Sequence, residues 1–208
     1  MKGKLWLKVT SIIVVSIICI FLTCLLIFNL VYIKSNVSGK SMYPTLNTGD
    51  RIFTNRFKKS NKGDIVVADI KNEENWQNKE DGNYVVKTLI ATAGDTVKIV
   101  KVDTFNYQLL VNGEVLDIKE ITVSVNSYYF FSTYVNDNIS NTERIEDGAI
   151  KVLEGEVFIV GDNWELSYDC FSCGPISKDC IVGSVDIVVP KGKNLIFGAI
   201  KGLFELWF

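Results

Sequence analysis

Histidine is absent from all 208 residues. That one absence excludes every mechanism that needs an imidazole base, Ser-His-Asp and Cys-His sites among them, and the usual His-bearing zinc sites of hydrolases. A hydrolase built from this chain must take its base from Lys, Asp or Glu. Proline occurs only three times. Few prolines, many β-branched residues and no long segment of 3.6-residue apolar period predict a mostly β, antiparallel domain. A strong charge of either sign is lacking too, and a formal net charge of -2 offers nothing to a nucleic-acid partner. The five cysteines form neither a disulfide framework nor a metal pattern: Cys19 and Cys24 fall in an apolar run, and Cys170, Cys173 and Cys180 lie near the end. Outside the cytoplasm a disulfide among these three is permitted, with at least one thiol left over. Zinc would need four ligands, and no histidine can supply one.

What the chain does have is one long apolar run. Val9 to Ile33 is 25 residues without a charge, which at about 1.5 Å per residue spans a hydrocarbon core of about 30 Å with some tilt. Lys2, Lys4 and Lys8 precede it, as a basic leader precedes a secretory signal. Such a signal has only roughly 7 to 15 apolar residues and a small-x-small cleavage site, and no such site follows here. The run is therefore expected to be a retained transmembrane helix over 9–33 behind a cytoplasmic leader, 1–8. Three lysines before the span against Lys34 after it place the N-terminus in the cytoplasm and the bulk of the chain outside, a single-pass protein of the cell membrane. All 24 acidic residues and all but three of the 22 basic ones lie beyond the run, so the external part is mildly acidic.

The external domain is expected over 34–190. Strands are predicted at Arg51–Asn55, Asp64–Ala68, Tyr84–Ile90, Thr96–Val102, Gln108–Val111, Val115–Ile118, Glu156–Val160 and Ile181–Val189, with a hairpin turn at Asn112-Gly113. Asp69 to Asn83 is polar and loop-like. An insertion is expected over about 101–155, and within it residues 120–150, aromatic and then polar, form an excursion. The tail, 191–208, is apolar from Leu195 to Phe208 but broken by Lys201 and Glu205. It suits an interfacial element resting on lipid, or ordinary packing against the domain.

Three stretches could carry chemistry. Val37-Ser38-Gly39-Lys40-Ser41-Met42-Tyr43-Pro44-Thr45-Leu46 holds a serine between a flexible glycine and a stiff Tyr-Pro pair, followed by Gly49-Asp50. Lys87 lies among Tyr84, Val85, Val86, Leu89 and Ile90, and on a strand it shares a face with Val85 and Leu89. Free lysine titrates at about 10.4, and desolvation favours its neutral form, the only form that can accept a proton. The third stretch is Gly161-Asp162-Asn163-Trp164-Glu165-Leu166-Ser167-Tyr168-Asp169. Ser167 and Asp169, two apart, could orient a lysine amine and the adjoining loop. Each has an ordinary alternative: a turn serine, a lysine whose stem packs while its ammonium reaches water, and a hairpin connection.

Taken together, in this order and behind a single anchor, the three stretches resemble the bacterial type I signal peptidases, membrane-bound serine proteases with a Ser-Lys dyad. The resemblance is to the Gram-positive-like members. It rests on Gly39 to Leu46, on Tyr84 to Ala91 with Gly94-Asp95, and on Gly161-Asp162-Asn163 with Ser167, Asp169 and Gly174. The fold it implies is the antiparallel β-domain of that family, tethered by one N-terminal helix. It further implies that Ser41 is the nucleophile, Lys87 the general base, Ser167 the group that holds the amine, and Asp169 the support of that loop. The backbone N–H of Ser41 would be an oxyanion donor. Gly39 stands where some members carry a serine, so a side-chain donor is missing there. No metal or cofactor is needed.

The resemblance also implies the partners: exported preproteins held by their signal peptides in the membrane lipid, with no nucleic acid. A substrate would lie extended between Val37–Lys40 and Asp81–Val86 as an added strand. Its small residues before the cut would enter a shallow pocket of Val37, Met42, Leu46, Val85 and Val86. Thr88, Ala93, Trp164, Leu166, Cys170 and Phe171 depart from the family pattern, which has arginine after the lysine, proline before the glycine, and Arg, Asn and Ser-Arg in the third stretch. Those departures suggest a narrowed substrate range. Two other readings are a Ser-Lys self-cleaving repressor-type protease, which needs no membrane span, and a catalytically inactive accessory for surface-fibre assembly, which would lack Ser41 or Lys87.

Overall fold

The computed structural model describes residues 2–76, 83–104, 106–116 and 124–193. It divides into two units, Met1–Ile33 and Lys34–Phe208. The first is the helix α1 (Lys2–Val31), whose stretch Lys8–Val31 is long and apolar enough to cross a membrane. Polar side chains in that stretch turn back on the helix: Thr10 donates to the carbonyl of Trp6, Thr23 to that of Cys19 and Asn29 to that of Leu25, at 2.8 to 3.0 Å. Each is satisfied four residues back, which removes most of the cost of carrying it into hydrocarbon.

The second unit is built on two sheets. The larger has the order β1 (Tyr32–Asn36), β2 (Arg51–Asn55), β12 (Ile181–Val189), β3 (Ile65–Asp69), β4 (Tyr84–Thr92), β10 (Glu156–Val160) and β11 (Ile176–Ser177). From β2 to β11 its pairings are antiparallel. The smaller has the order β7 (Glu114–Val115), β6 (Tyr107–Val111), β5 (Thr96–Lys101), β9 (Ala149–Lys151) and β8 (Ile145–Glu146), all antiparallel. A tight turn joins them: Gly94 has φ +90°, and Asp95 accepts from the N–H of Thr92 at 2.8 Å, so β4 leads directly into β5. The Asn112-Gly113 turn has both residues at positive φ, 55° and 79°, as a two-residue hairpin of this sequence requires.

Strands β3, β4 and β10 are buried at successive positions rather than alternate ones, the mark of strands covered on both faces. Val66 and Val67 show why. Neighbours on a strand point to opposite faces, and Val66 belongs to the larger core, with Ile90, Phe158 and Phe171. Val67 belongs to a smaller core of Val37, Met42, Leu46 and Ile52.

Inside the expected excursion stands a helix, α2 (Val125–Asp137). Its N-cap is Ser124, which accepts from the N–H of Ser127 at 3.2 Å. The buried stripe is only Ser127, Phe131 and Val135, one residue per turn and beginning on a serine, so no apolar period marks it. A four-residue helix, α3 (Cys170–Cys173), follows the third stretch and is capped by Asp169. Strand ends differ from expectation by a residue or so, as at β3 and β6. Asp117 and Ile118 of an expected strand, Asp81 of the expected substrate edge, and the tail from residue 194 lie outside the described residues.

Candidate active site

Ser41 sits in a turn held shut from several sides. The N–H of Val37 donates to Asp50 and that of Gly49 to Val37, at 2.8 and 2.9 Å, closing the loop at its base. Tyr43 N–H donates to the Lys40 carbonyl and Leu46 N–H to that of Met42. Met42 and Leu46 are buried, which anchors the turn in the smaller core, while Ser41, just before Met42, stays half-exposed. Gly39 has φ +84° with open space around it, and its carbonyl accepts from the Thr48 hydroxyl at 2.5 Å.

Lys87 is 3 % exposed. It stands in the middle of β4, paired across to Val66 of β3, with β10 on the other side. Strand β3 along one edge, the end of β10 one residue away at Thr88 and side chains on both faces leave little water for an ammonium. Burial accordingly holds its pKa below the ordinary 10.5, against the opposing pull of Asp169. The amine donates to Ser167 Oγ at 2.8 Å.

The register of β10 on β4 is what brings that serine in. Val160 pairs with Thr88, so the loop that begins at Gly161 leaves its strand beside Lys87. Ser167 donates to Asp169 at 2.5 Å, and the buried Asp169 also accepts from the N–H groups of Gly161 at 3.0 Å and Phe171 at 3.1 Å. Burial pushes the Asp169 carboxyl up, while the charge of Lys87 and these three donors work the other way.

A second carboxylate ties the parts together. Asp162 is 6 % exposed and accepts from Thr88, next to the lysine, at 2.7 Å. It also accepts from Thr45, four residues after Ser41. Asn163 adds two bonds to the same turn, from its N–H to the Ser41 carbonyl at 2.9 Å and from its amide to the Lys40 carbonyl at 3.1 Å. Gly161 permits this closeness: a Cβ there would run into Ser167 Oγ and come within 2.5 Å of the Ser41 carbonyl oxygen.

Ser41 and Lys87 line one cleft of about 290 Å³, with Val37, Gly39, Met42, Val85 and Val86. Leu46 does not line it. Leu46 is 1 % exposed and contributes to a neighbouring pocket with Tyr43, Asn47, Thr48 and Asn163. The cleft also has aromatic walls: Tyr84, on the expected substrate edge, and Trp76 and Tyr168, which the sequence did not mark, with Leu166 beside them. Trp76 and Tyr168 meet edge to face at 5.8 Å. Trp76 falls within the stretch read as polar loop, and its lone ring carries no periodic signal.

Thr45, Thr88 and Asp162 were also missed as a group, since nothing local to any of them names its partners. Cys170 and Cys173 are buried free thiols and Cys180 a half-buried one. The Cys180 thiol donates to Glu73 at 2.9 Å. Among the described residues no three His, Cys, Asp or Glu side chains gather as a metal site. The arrangement holds a buried amine, its pKa lowered, against a hydroxyl in a cleft that also holds a serine, which is equipment that suits nucleophilic attack with lysine as base.

Comparison with known proteins gives a match to the family described as signal peptidase, peptidase S26, over residues 7–190. Signal peptidase I P of Bacillus subtilis subsp. natto is 31 % identical over 207 residues, covering 93 % of this chain and 97 % of that protein. Signal peptidase I S of Bacillus subtilis strain 168 is 30 % identical over 180 residues, covering 83 % and 85 %. A crystal structure of a signal peptidase I from Enterococcus faecalis V583 has 22 % identity and a TM-score of 0.38, covering 61 % of this chain and 97 % of that one.

Proposed function

The chain belongs to the signal peptidase family, peptidase S26, and from that premise we propose that Ser41 is its nucleophile and Lys87 its general base. It is a type I signal peptidase of the Gram-positive-like kind, a hydrolase that removes signal peptides from preproteins. The observation that carries the residue assignment is the buried Lys87 amine, held at 2.8 Å by Ser167 in the cleft that Ser41 lines.

Neutral Lys87 takes the Ser41 proton as the hydroxyl oxygen adds to the carbonyl carbon at the cut. The oxyanion is met by the backbone N–H of Ser41, with no side-chain donor from Gly39. Collapse breaks the C–N bond, the Lys87 proton passes to the departing amine of the mature protein, and the signal peptide remains as an ester on Ser41. Water, deprotonated by Lys87, adds to that ester; as the C–O bond to Ser41 breaks, the Lys87 proton returns to Ser41 Oγ, and the signal peptide leaves with a new carboxyl group. Ser167 fixes the amine, and Asp169 fixes Ser167.

The preprotein lies in the cleft as an added strand between Val37–Lys40 and the residues from Asn83 to Val86, its small side chains facing Val37, Met42, Val85 and Val86. The apolar stretch of α1, Lys8–Val31, which ends two residues before the expected 9–33 because Tyr32 and Ile33 enter β1, spans the cell membrane once, with its N-terminal side in the cytoplasm and the catalytic domain, 34–190, outside. Ser41 follows the span by only a few residues, which suits a substrate that is itself in the bilayer. The inactive accessory has no observation in its favour.

The test is cleavage of a signal-peptide substrate by full-length protein in detergent. Ser41→Ala and Lys87→Ala should each lower kcat by about a thousandfold or more. Wild-type cleavage by either protein overturns its assignment.

A further inference from the structure

The helix α2, for which the sequence offered no role, touches the loop of Ser167 and Asp169 at three places. Phe131 of α2 meets Phe171 at 6.2 Å between ring centroids, and Phe171 meets Trp164 at 4.7 Å and Phe158 of β10 at 5.5 Å. Ser127 of α2 donates to the Trp164 carbonyl at 3.3 Å in the buried interior. The Tyr134 ring lies so close to Gly174, just after α3, that a Cβ there would overlap its atoms. Trp164 precedes Ser167 and Phe171 follows Asp169, so the helix grips the loop on both sides of its working residues.

From that grip a continuous set of bonds leads to the amine. The N–H of Phe171 donates to Asp169 Oδ1, Ser167 donates to Asp169 Oδ2, and Lys87 donates to Ser167. We propose that α2 is a positioning element of the catalytic lysine, with Phe131 and Ser127 acting through Phe171 and Trp164 to hold the Ser167–Asp169 loop against Lys87 and to keep water out. The proposal rests on the assignment of Lys87 as base. Trp164 and Phe171 are among the departures from the family pattern, and in this chain ring packing on α2 holds the loop at those positions.

A rigid, dry loop has two effects on Lys87. It keeps the amine in one orientation, and it maintains the burial that favours the neutral form. The ionisable groups around Lys87 are Asp169, Cys170, Cys173 and Asp162; on α2, Tyr134 faces α3, its hydroxyl pushed up by burial. Phe131 carries no charge, so replacing it changes packing and water access only.

The experiment measures kcat and KM against pH for full-length Phe131→Ala in detergent. Its acid limb should move to higher pH, with kcat at neutral pH about tenfold lower for each pH unit of movement and KM within about twofold. Phe131→Leu should restore most of the loss, and Ser127→Ala should move the limb the same way by less. Val111→Ala, a cavity in the smaller sheet, should keep the wild-type kcat and limb. A folded Phe131→Ala with the wild-type limb overturns the proposal, as does an equal shift in Val111→Ala. If Phe131→Ala does not fold, an unshifted Ser127→Ala overturns it. Lys87→Ala run alongside separates the two readings: full activity there removes the base assignment itself, whereas an inactive Lys87→Ala with an unshifted Phe131→Ala removes only the role of α2.

Discussion

The amine of Lys87 donates to the Ser167 hydroxyl at 2.8 Å, and the Ser167 hydroxyl donates in turn to Asp169. Ser167 is therefore both the acceptor that orients Lys87, the proposed base, and the link to a buried carboxylate. Ser167→Ala should lower kcat by about ten- to a hundredfold, the value of a hydrogen bond to the ammonium that Lys87 becomes as it takes the proton, with KM little changed. Steady-state cleavage of a signal-peptide substrate reads both.

Burial holds the Lys87 pKa below 10.5, and two pH effects follow. Cleavage should rise with pH through that lowered pKa as the amine loses its proton. Between the folded pKa and 10.5, the unfolded chain binds a proton that the folded chain does not, so stability also rises with pH across that window. The cost is fully present below the folded pKa and gone above the unfolded one. Lys87→Met should therefore be inactive but more stable at neutral pH, with Tm higher by about 2–4 °C for each kcal/mol recovered. Thermal melts at several pH values should show the gain shrinking towards pH 10.5.

Gly161 lies where a Cβ would strike Ser167 Oγ and the Ser41 carbonyl oxygen. Gly161→Ala should push the loop of Ser167 away from the turn of Ser41. Overpacking of this kind costs about 1–3 kcal/mol, and because both displaced groups belong to the site, kcat should fall more than stability does. Denaturant unfolding and cleavage rates on one preparation compare the two.

Asp162 takes hydroxyl bonds from Thr88 and Thr45. Thr88→Val keeps the shape but removes one donor from a buried carboxylate, at a cost of about 1–3 kcal/mol. Urea unfolding should show that loss, and the same change at Thr45 should show less, since Thr45 is half-exposed.

Burial and the bond to Glu73 push the Cys180 thiol up to about 12, and Cys170 and Cys173 are buried. Native protein should therefore react slowly with a thiol reagent at Cys180 and not at Cys170 or Cys173 until unfolded. Cleavage should be the same with and without reductant. Mass spectrometry after labelling gives the sites.

Much of this site is legible in one dimension, because the chemistry is local. A Gly-x-Ser turn, a lysine with apolar neighbours at alternate positions, and a Gly-Asp-Asn turn each show in a few residues, and Asn112-Gly113 names its own hairpin. Other parts leave no such trace. The buried stripe of α2 begins on a serine and takes one residue per turn, so its helix has no apolar period. Leu46 reads as a pocket residue beside Met42, yet the turn rotates it into the neighbouring pocket.

The sequence by itself determined what the base could not be, where the apolar span lies, and the order in which serine, lysine and the third stretch occur, because absence, run length and local turn chemistry need no partner. Only the tertiary structure decided which groups meet. Ser167 lies 80 residues from Lys87 and Asp162 lies 117 from Thr45, and the pairing of Val160 with Thr88 brings them together. Such contacts depend on strand register and on how rings pack between helix and loop, and neither has a period that a linear sequence can display.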